Sequence, residues 1–303
     1  MRRYTALISL ALLFVTHFAF AGGAGSYPSL RDSKDPGLQR ALEERLSGLG
    51  LAKAVADKRL SVALVDITDP NKPRLAAVNG DEMKYAASLP KIAILLGAFV
   101  EIEDGEMALD EATRDSLTRM VRKSSNIEAT RMLNKVGKER LLQILQSPRF
   151  KLYDPANNGG LWVGKEYGKS PAYLRDPLHN LSHGATAIQT ARFFYLLETG
   201  RLVDPALTAE MKEMLSHPAI NHKFVKGLRS RPGVKIYRKS GTWSRWHADG
   251  AIVEDGKYKF IVVGLAESAK GGEWLSKMVA PLHDLIVPVR VAGLQDEELA
   301  AVN

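Results

Sequence analysis

The sequence predicts an α+β protein: an antiparallel five-stranded sheet with flanking terminal helices, plus an all-helical lobe. Three observations lead there. Strand-like apolar runs sit only near the two ends of the chain. Between them, apolar side chains recur at helical spacing. At 303 residues and 45% hydrophobic side chains, the chain can bury one large core or two closely packed ones.

Taken in order, the elements begin with a basic start, Arg2 and Arg3, and an almost wholly apolar run from Thr5 to Phe20. Ala19-Phe20-Ala21 is a small-x-small cleavage site. The run is short for a membrane span and no polar stop-transfer cluster follows. Residues 1–21 are therefore expected to be a cleavable signal peptide, which leaves no membrane anchor and a secreted or periplasmic protein. Residues 22–36, rich in Gly, Ser, Pro and charge, read as a flexible leader.

Leu38, Leu42, Leu46, Leu49 and Ala52 then keep a helical period up to about Ala56. Ser61–Ile67 and Arg74–Val78 read as a hairpin around the turn Asp69-Pro70-Asn71-Lys72-Pro73. Lys91 opens an apolar run that reaches Val100, of a length that suits a buried helix. Asp110–Met120 and Asn126–Leu145 are amphipathic helices. Residues 147–183 break the pattern with four prolines and the run Asn157-Asn158-Gly159-Gly160, and a loop of that length is usually functional. Helix returns over Ala185–Gly200. Three strands follow, around Val234–Tyr237, Gly250–Val253 and Lys259–Leu265, and a last helix spans about 273–285. Residues 37–87 and 215–293 would thus form a discontinuous α/β domain, 88–214 a helical domain and 294–303 a tail.

Composition excludes several function classes. With no cysteine, disulfide scaffolds, zinc-thiolate sites and thiol nucleophiles are ruled out. The formal charge is +8, or +6 once two arginines leave with the signal peptide. No long Lys/Arg run and no aromatic-basic interleaving is present, so a nucleic-acid partner is not expected. An anionic wall polymer or a carboxylate-bearing small substrate suits the charge better. His179 and His183 lie four apart, but Pro177 and Asn180 argue for a loop, so no metal site is expected, nor any cofactor.

Three short motifs carry chemistry. Ser88-Leu89-Pro90-Lys91 opens the apolar helix. Serine there could serve simply as a cap. A serine hydroxyl becomes a nucleophile when a base takes its proton, and a desolvated lysine beside another cation has its neutral form favoured. The helix N-terminus adds positive potential where an acyl oxyanion would form. Ser124-Ser125-Asn126 sits between two helices and could be an N-cap. Lys239-Ser240-Gly241-Thr242 ends a strand, where Gly241 would let a substrate backbone come close, or begins a turn.

Each motif is common alone. The order Ser-x-x-Lys, Ser-x-Asn, Lys-Ser-Gly is specific, and with it the sequence resembles the class A β-lactamase-like, penicillin-binding serine hydrolase superfamily over roughly residues 38–290. That resemblance implies a β-lactamase/transpeptidase-like fold. It implies Ser88 as the acylated nucleophile, Lys91 as its base or relay, and Ser124 as proton donor to the leaving nitrogen. Asn126 would bond the substrate amide. Lys239 would supply charge near Ser124 and the substrate carboxylate, which Ser240 would bond. The N–H groups of Ser88 and Thr242 would form the oxyanion hole, with Gly241 between Ser240 and Thr242. Arg245 is a further carboxylate candidate, its alternative being an ordinary strand-end charge. The substrate would be a small-molecule β-lactam or a cell-wall peptide, handled by a monomer.

The sequence departs from the class A pattern in the long loop. The Glu-x-x-Leu-Asn motif, whose glutamate activates the deacylating water, is absent from 147–183. Glu166 and His183 are candidate replacements, each with an ordinary loop role as alternative. Asp176 also lies in this loop, without the right neighbours. The stretch between Ser88 and Ser124 is short, which predicts an open cleft. Three functions follow: a β-lactam-hydrolysing enzyme, slow if water activation is lost; a D,D-peptidase-like, penicillin-binding acyltransferase on wall peptides; and a non-catalytic penicillin- or wall-binding protein.

Overall fold

The computed structural model describes residues 27–288. The signal peptide expected at 1–21, the start of the leader and the tail expected at 294–303 lie outside the described residues.

Helix α1 (Pro36–Gly48) starts with Pro36 at its first turn, and the Asp35 carboxylate accepts the Leu38 N–H at 2.7 Å. Its buried stripe is Leu38, Leu42 and Leu46. The single helix expected to run to Ala56 breaks at Gly50 (φ +72°), and a short α2 (Ala52–Ala56) follows. The hairpin is β1 (Leu60–Asp66) and β2 (Arg74–Val78), and β3 (Lys84–Tyr85) leads to the nucleophile turn. The lobe comprises α3 (Lys91–Glu103), α4 (Glu111–Arg122), α5 (Asn126–Val136) and α6 (Lys138–Gln146). The helix expected over 126–145 is two, because Gly137 turns the chain at φ +90°, a conformation side chains resist. β4 (Tyr153–Asp154), β5 (Gly159–Gly160), β6 (Trp162–Val163) and β7 (His183–Ala185) make two small sheets inside the stretch read as loop, so the lobe is not purely helical. Next come α7 (Ala187–Glu198), α8 (Pro205–Leu215) and α9 (Phe224–Gly227). Strands β8 (Lys235–Trp243), β9 (Trp246–Asp255) and β10 (Tyr258–Glu267) and helix α10 (Gly271–His283) close the described chain.

The five long strands form one antiparallel sheet in the order β2-β1-β10-β9-β8. Both faces are covered, so the strands are apolar on both sides. Leu60, Val62 and Leu64 of β1 join the core under α1 and α10, while Ala63 and Val65 face the other way, into the core shared with the lobe. Every residue of α3 from Lys91 to Val100 is buried, as its unbroken apolar run requires.

The leader is not flexible throughout. Leu30 is buried, Arg31 pairs with Asp81 at 2.7 Å, and residues 33–35 bond the backbone of Leu75 on β2. An apolar anchor and an exposed sheet edge outweigh the polar composition there.

Candidate active site

Ser88 lies in a tight turn between β3 and α3, one residue after Ala87, whose φ of +51° places a non-glycine residue in the left-handed region. The helix is capped at Pro90, so Ser88 is not its cap. Ser124, at the α4–α5 junction, has φ +56°. Capping of α5 falls to Ser125, whose hydroxyl accepts the Glu128 N–H at 3.3 Å, leaving Ser124 free for other partners.

Those partners are two lysines. Lys239 Nζ donates to Ser124 Oγ at 2.9 Å and to Ser240 O at 2.6 Å. Lys91 Nζ reaches the same hydroxyl at 3.5 Å and donates to Ser124 O at 2.6 Å and Asn126 Oδ1 at 2.8 Å. Lys91 is fully buried, and desolvation lowers its pKa to about 7. It also donates to Ser125 O at 3.3 Å. Burial, then the charges of Lys91, Arg238 and Lys223, push Lys239 well below its ordinary value.

At Gly241 the protein's own backbone comes close: a Cβ there would lie 2.7 Å from Ser88 N and 2.8 Å from Leu89 N, and would also strike Ala86 O. Gly241 thus lets β8 press against the nucleophile turn. Behind it sits Lys223, a residue the sequence did not single out. Its buried ammonium donates to Gly241 O (2.5 Å), Thr242 Oγ1 (2.8 Å) and Ala248 O (3.1 Å), and burial lowers its pKa to about 8. Lys223 is held by the neighbouring Phe224 N–H on Asp249, whose carboxylate also pairs with Arg238 at 2.7 Å.

Ser88, Asn126 and Thr242 line one cleft of about 680 Å³. Ser240 is buried beside Lys239. Arg245 is elsewhere: it sits on the β8–β9 turn, is mostly exposed, and faces Glu267 at 3.6 Å. Arg245 is not among the residues that line the cleft.

The loop candidates fare differently from one another. Glu166 borders the cleft, but its carboxylate pairs with Lys138 at 2.6 Å and accepts the Ser170 hydroxyl at 3.1 Å, which hold its pKa below the usual range. His183 is buried, and desolvation with the charges of Lys165 and Lys91 lowers its pKa to about 3. Its ring stacks on Tyr167 at 4.3 Å. Asp176 is buried away from the lysines, where it accepts the Tyr153 hydroxyl and the His179 N–H. Among the described residues, no carboxylate bonds Lys91. What covers Lys91 instead is Tyr167, whose ring centre lies 4.5 Å from Nζ and whose hydroxyl reaches Ala87 O at 3.4 Å. An aromatic residue stranded in a Gly- and Lys-rich loop was the only sequence signal for it.

Among the described residues, no cluster of His, Asp and Glu is arranged to hold a metal, and no helix is long and apolar enough to cross a membrane.

Comparison with known proteins agrees with this fold. The fold is similar to a β-lactamase from Sphaerobacter thermophilus (TM-score 0.62, 17% identity, 79% of this chain and 95% of that one). It is also similar to PBP-A (0.61, 15%, 83% and 97%). A third similar structure is a double mutant of the class A β-lactamase of the last common ancestor of Gram-negative bacteria (0.64, 16%, 80% and 98%). A variant of PBP-A is known as an acyl-enzyme complex with penicillin G. No curated protein sequence matches the chain. The family model described as the β-lactamase enzyme family matches residues 41–116 and 112–282, which takes in both halves of the sheet and all three motifs. A match of that extent over a sheet and lobe so arranged means that the chain belongs to the β-lactamase enzyme family.

Proposed function

We propose that this protein is an exported serine hydrolase that β-lactams acylate on Ser88 and that releases the acyl group slowly. The observation that carries the reading is the Ser124 hydroxyl held between Lys239 and Lys91, with the Lys91 amine inclined to be neutral at pH 7. Lys91 takes the Ser88 proton as Oγ attacks the lactam carbonyl. The N–H groups of Ser88 and Thr242 receive the oxyanion. As the C–N bond breaks, Ser124 Oγ gives its proton to the departing nitrogen and is resupplied through Lys91 or Lys239.

Slow release is supported by the loop. Glu166 is occupied by Lys138, His183 is too weakly basic to draw a proton from water at neutral pH, and Tyr167 roofs Lys91. Hence a second reading, a D,D-peptidase-like acyltransferase on wall peptides with penicillin as a trapping substrate, is favoured over fast antibiotic hydrolysis. The alternative of a non-catalytic binder gives no reason for a buried lysine one turn from Ser88.

Intact-mass spectrometry after mixing with benzylpenicillin, followed from seconds to hours, tests the proposal. A persistent adduct mapped to Ser88 and lost in Ser88→Ala is expected. Hydrolysed penicillin without an accumulating adduct would mean an efficient β-lactamase, and an adduct retained in Ser88→Ala would overturn the site.

A further inference from the structure

The mouth of the cleft carries aromatic surface that the acylation chemistry does not use. Trp243 and Trp246 stand directly opposite each other on β8 and β9, around the two-residue turn Ser244-Arg245. Trp243 follows Thr242 immediately and is 66% exposed. Trp246 is half-buried, edge-on to Tyr85 with ring centres 6.3 Å apart. All three border the same cleft as Ser88. Lys165 and Lys169 border the same cleft, and among the described residues neither pairs with a carboxylate. The acid between them, Glu166, is already held by Lys138 and Ser170.

We propose that Trp243 and Trp246, with Lys165 and Lys169 bordering the same cleft, form a subsite for the acyl side chain of the substrate, selective for a side chain that carries both an aryl group and a carboxylate. The inference rests on the acylation reading above and adds the substrate's side-chain class to it. An acyl group on Ser88, bonded along β8 at Thr242, is directed next past Trp243. An indole face left two-thirds in water gains by stacking on a planar apolar group, since aromatic pairs add attraction beyond their buried area. Two ammonium groups bordering the same cleft select a negative charge on the same side chain. Isolated exposed tryptophans are ordinary, but here the exposed ring, its half-buried partner and the free cations open onto one cleft. The alternative role is a cross-strand pair that braces the hairpin, which predicts a stability effect without substrate selectivity.

The test compares second-order acylation constants for carbenicillin, benzylpenicillin and 6-aminopenicillanic acid. These have, respectively, an aryl side chain with a carboxylate, an aryl side chain and no side chain. The wild type is expected to react in that order of decreasing rate. Trp243→Ala is expected to lower the benzylpenicillin to 6-aminopenicillanic acid ratio by about tenfold, the scale of a lost aromatic contact. Replacing Lys165 and Lys169 together by Ala brings the carbenicillin to benzylpenicillin ratio toward one. Ratios unchanged in these variants, with only the melting temperature altered, would reduce the pair to a hairpin brace and overturn the proposal. The Ser88→Ala protein separates the two readings: carbenicillin binding that quenches tryptophan fluorescence, and is lost on adding Trp243→Ala, upholds the subsite even where no penicillin acylates the wild type.

Discussion

The Lys91 ammonium nitrogen lies 4.5 Å from the centre of the Tyr167 ring, with Tyr167 itself stacked on His183. Lys91 is thereby enclosed by aromatic surface and bonded to amide and hydroxyl oxygens, and among the described residues no carboxylate bonds it. A lysine in that setting loses its proton near neutrality.

The acylation rate should therefore rise with pH through about 7, because Lys91 accepts the Ser88 proton only when neutral, and it is neutral above its pKa. Stopped-flow acylation by a chromogenic β-lactam between pH 5 and 8 measures this limb. Lys91→Met should lower the rate by about 10²-fold or more, the scale of a lost general base.

Tyr167 should set the position of that limb. Tyr167→Ala opens Lys91 to water, restores hydration of the ammonium and moves the limb to higher pH. Tyr167→Phe keeps the ring and loses only the 3.4 Å contact with Ala87 O, so its limb should stay near that of the wild type. Equal limbs in all three proteins would remove Tyr167 from the control of the base.

Gly241→Ala should cost far more activity than stability. The new methyl drives β8 from the Ser88 turn, so acylation should fall by about 10²-fold, in keeping with the effect of an ångström-scale misplacement on catalysis. Circular dichroism should still report the folded sheet.

Asp249→Ala should do the reverse. It leaves Arg238, whose side chain is 2% exposed, without its partner, and frees the Phe224 N–H. Breaking a buried pair from one side costs about 3–5 kcal/mol, read as a lower chemical-denaturation midpoint. Activity per folded molecule should also drop, since the Lys223 segment anchors Thr242.

Much of this was legible in sequence because it is local. The β1–β2 hairpin, the apolar helix α3 and the three final strands follow from periodicity, and the three motifs sit at element ends where their neighbours announce them. The helices α8 and α9 carry little periodic signal, since their apolar sides are brief. Tyr167 and Lys223 act through positions reached only in three dimensions: one arrives from the irregular loop, the other from a short segment before α9. Arg245 stands three residues after Thr242, yet it does not line the cleft.

The order of the sheet has a consequence for how the chain matures. β1 is an interior strand whose second neighbour is β10, with Leu60 opposite Ala266. Until the ribosome has delivered residues near Glu267, one edge of β1 has no partner, and the core between the sheet and α3 has no floor. Pairings this distant in sequence form slowly. A nascent or truncated chain lacking β10 should thus remain an open, chaperone-dependent polymer, and the lobe bearing Ser88 should acquire its geometry only after synthesis is almost finished.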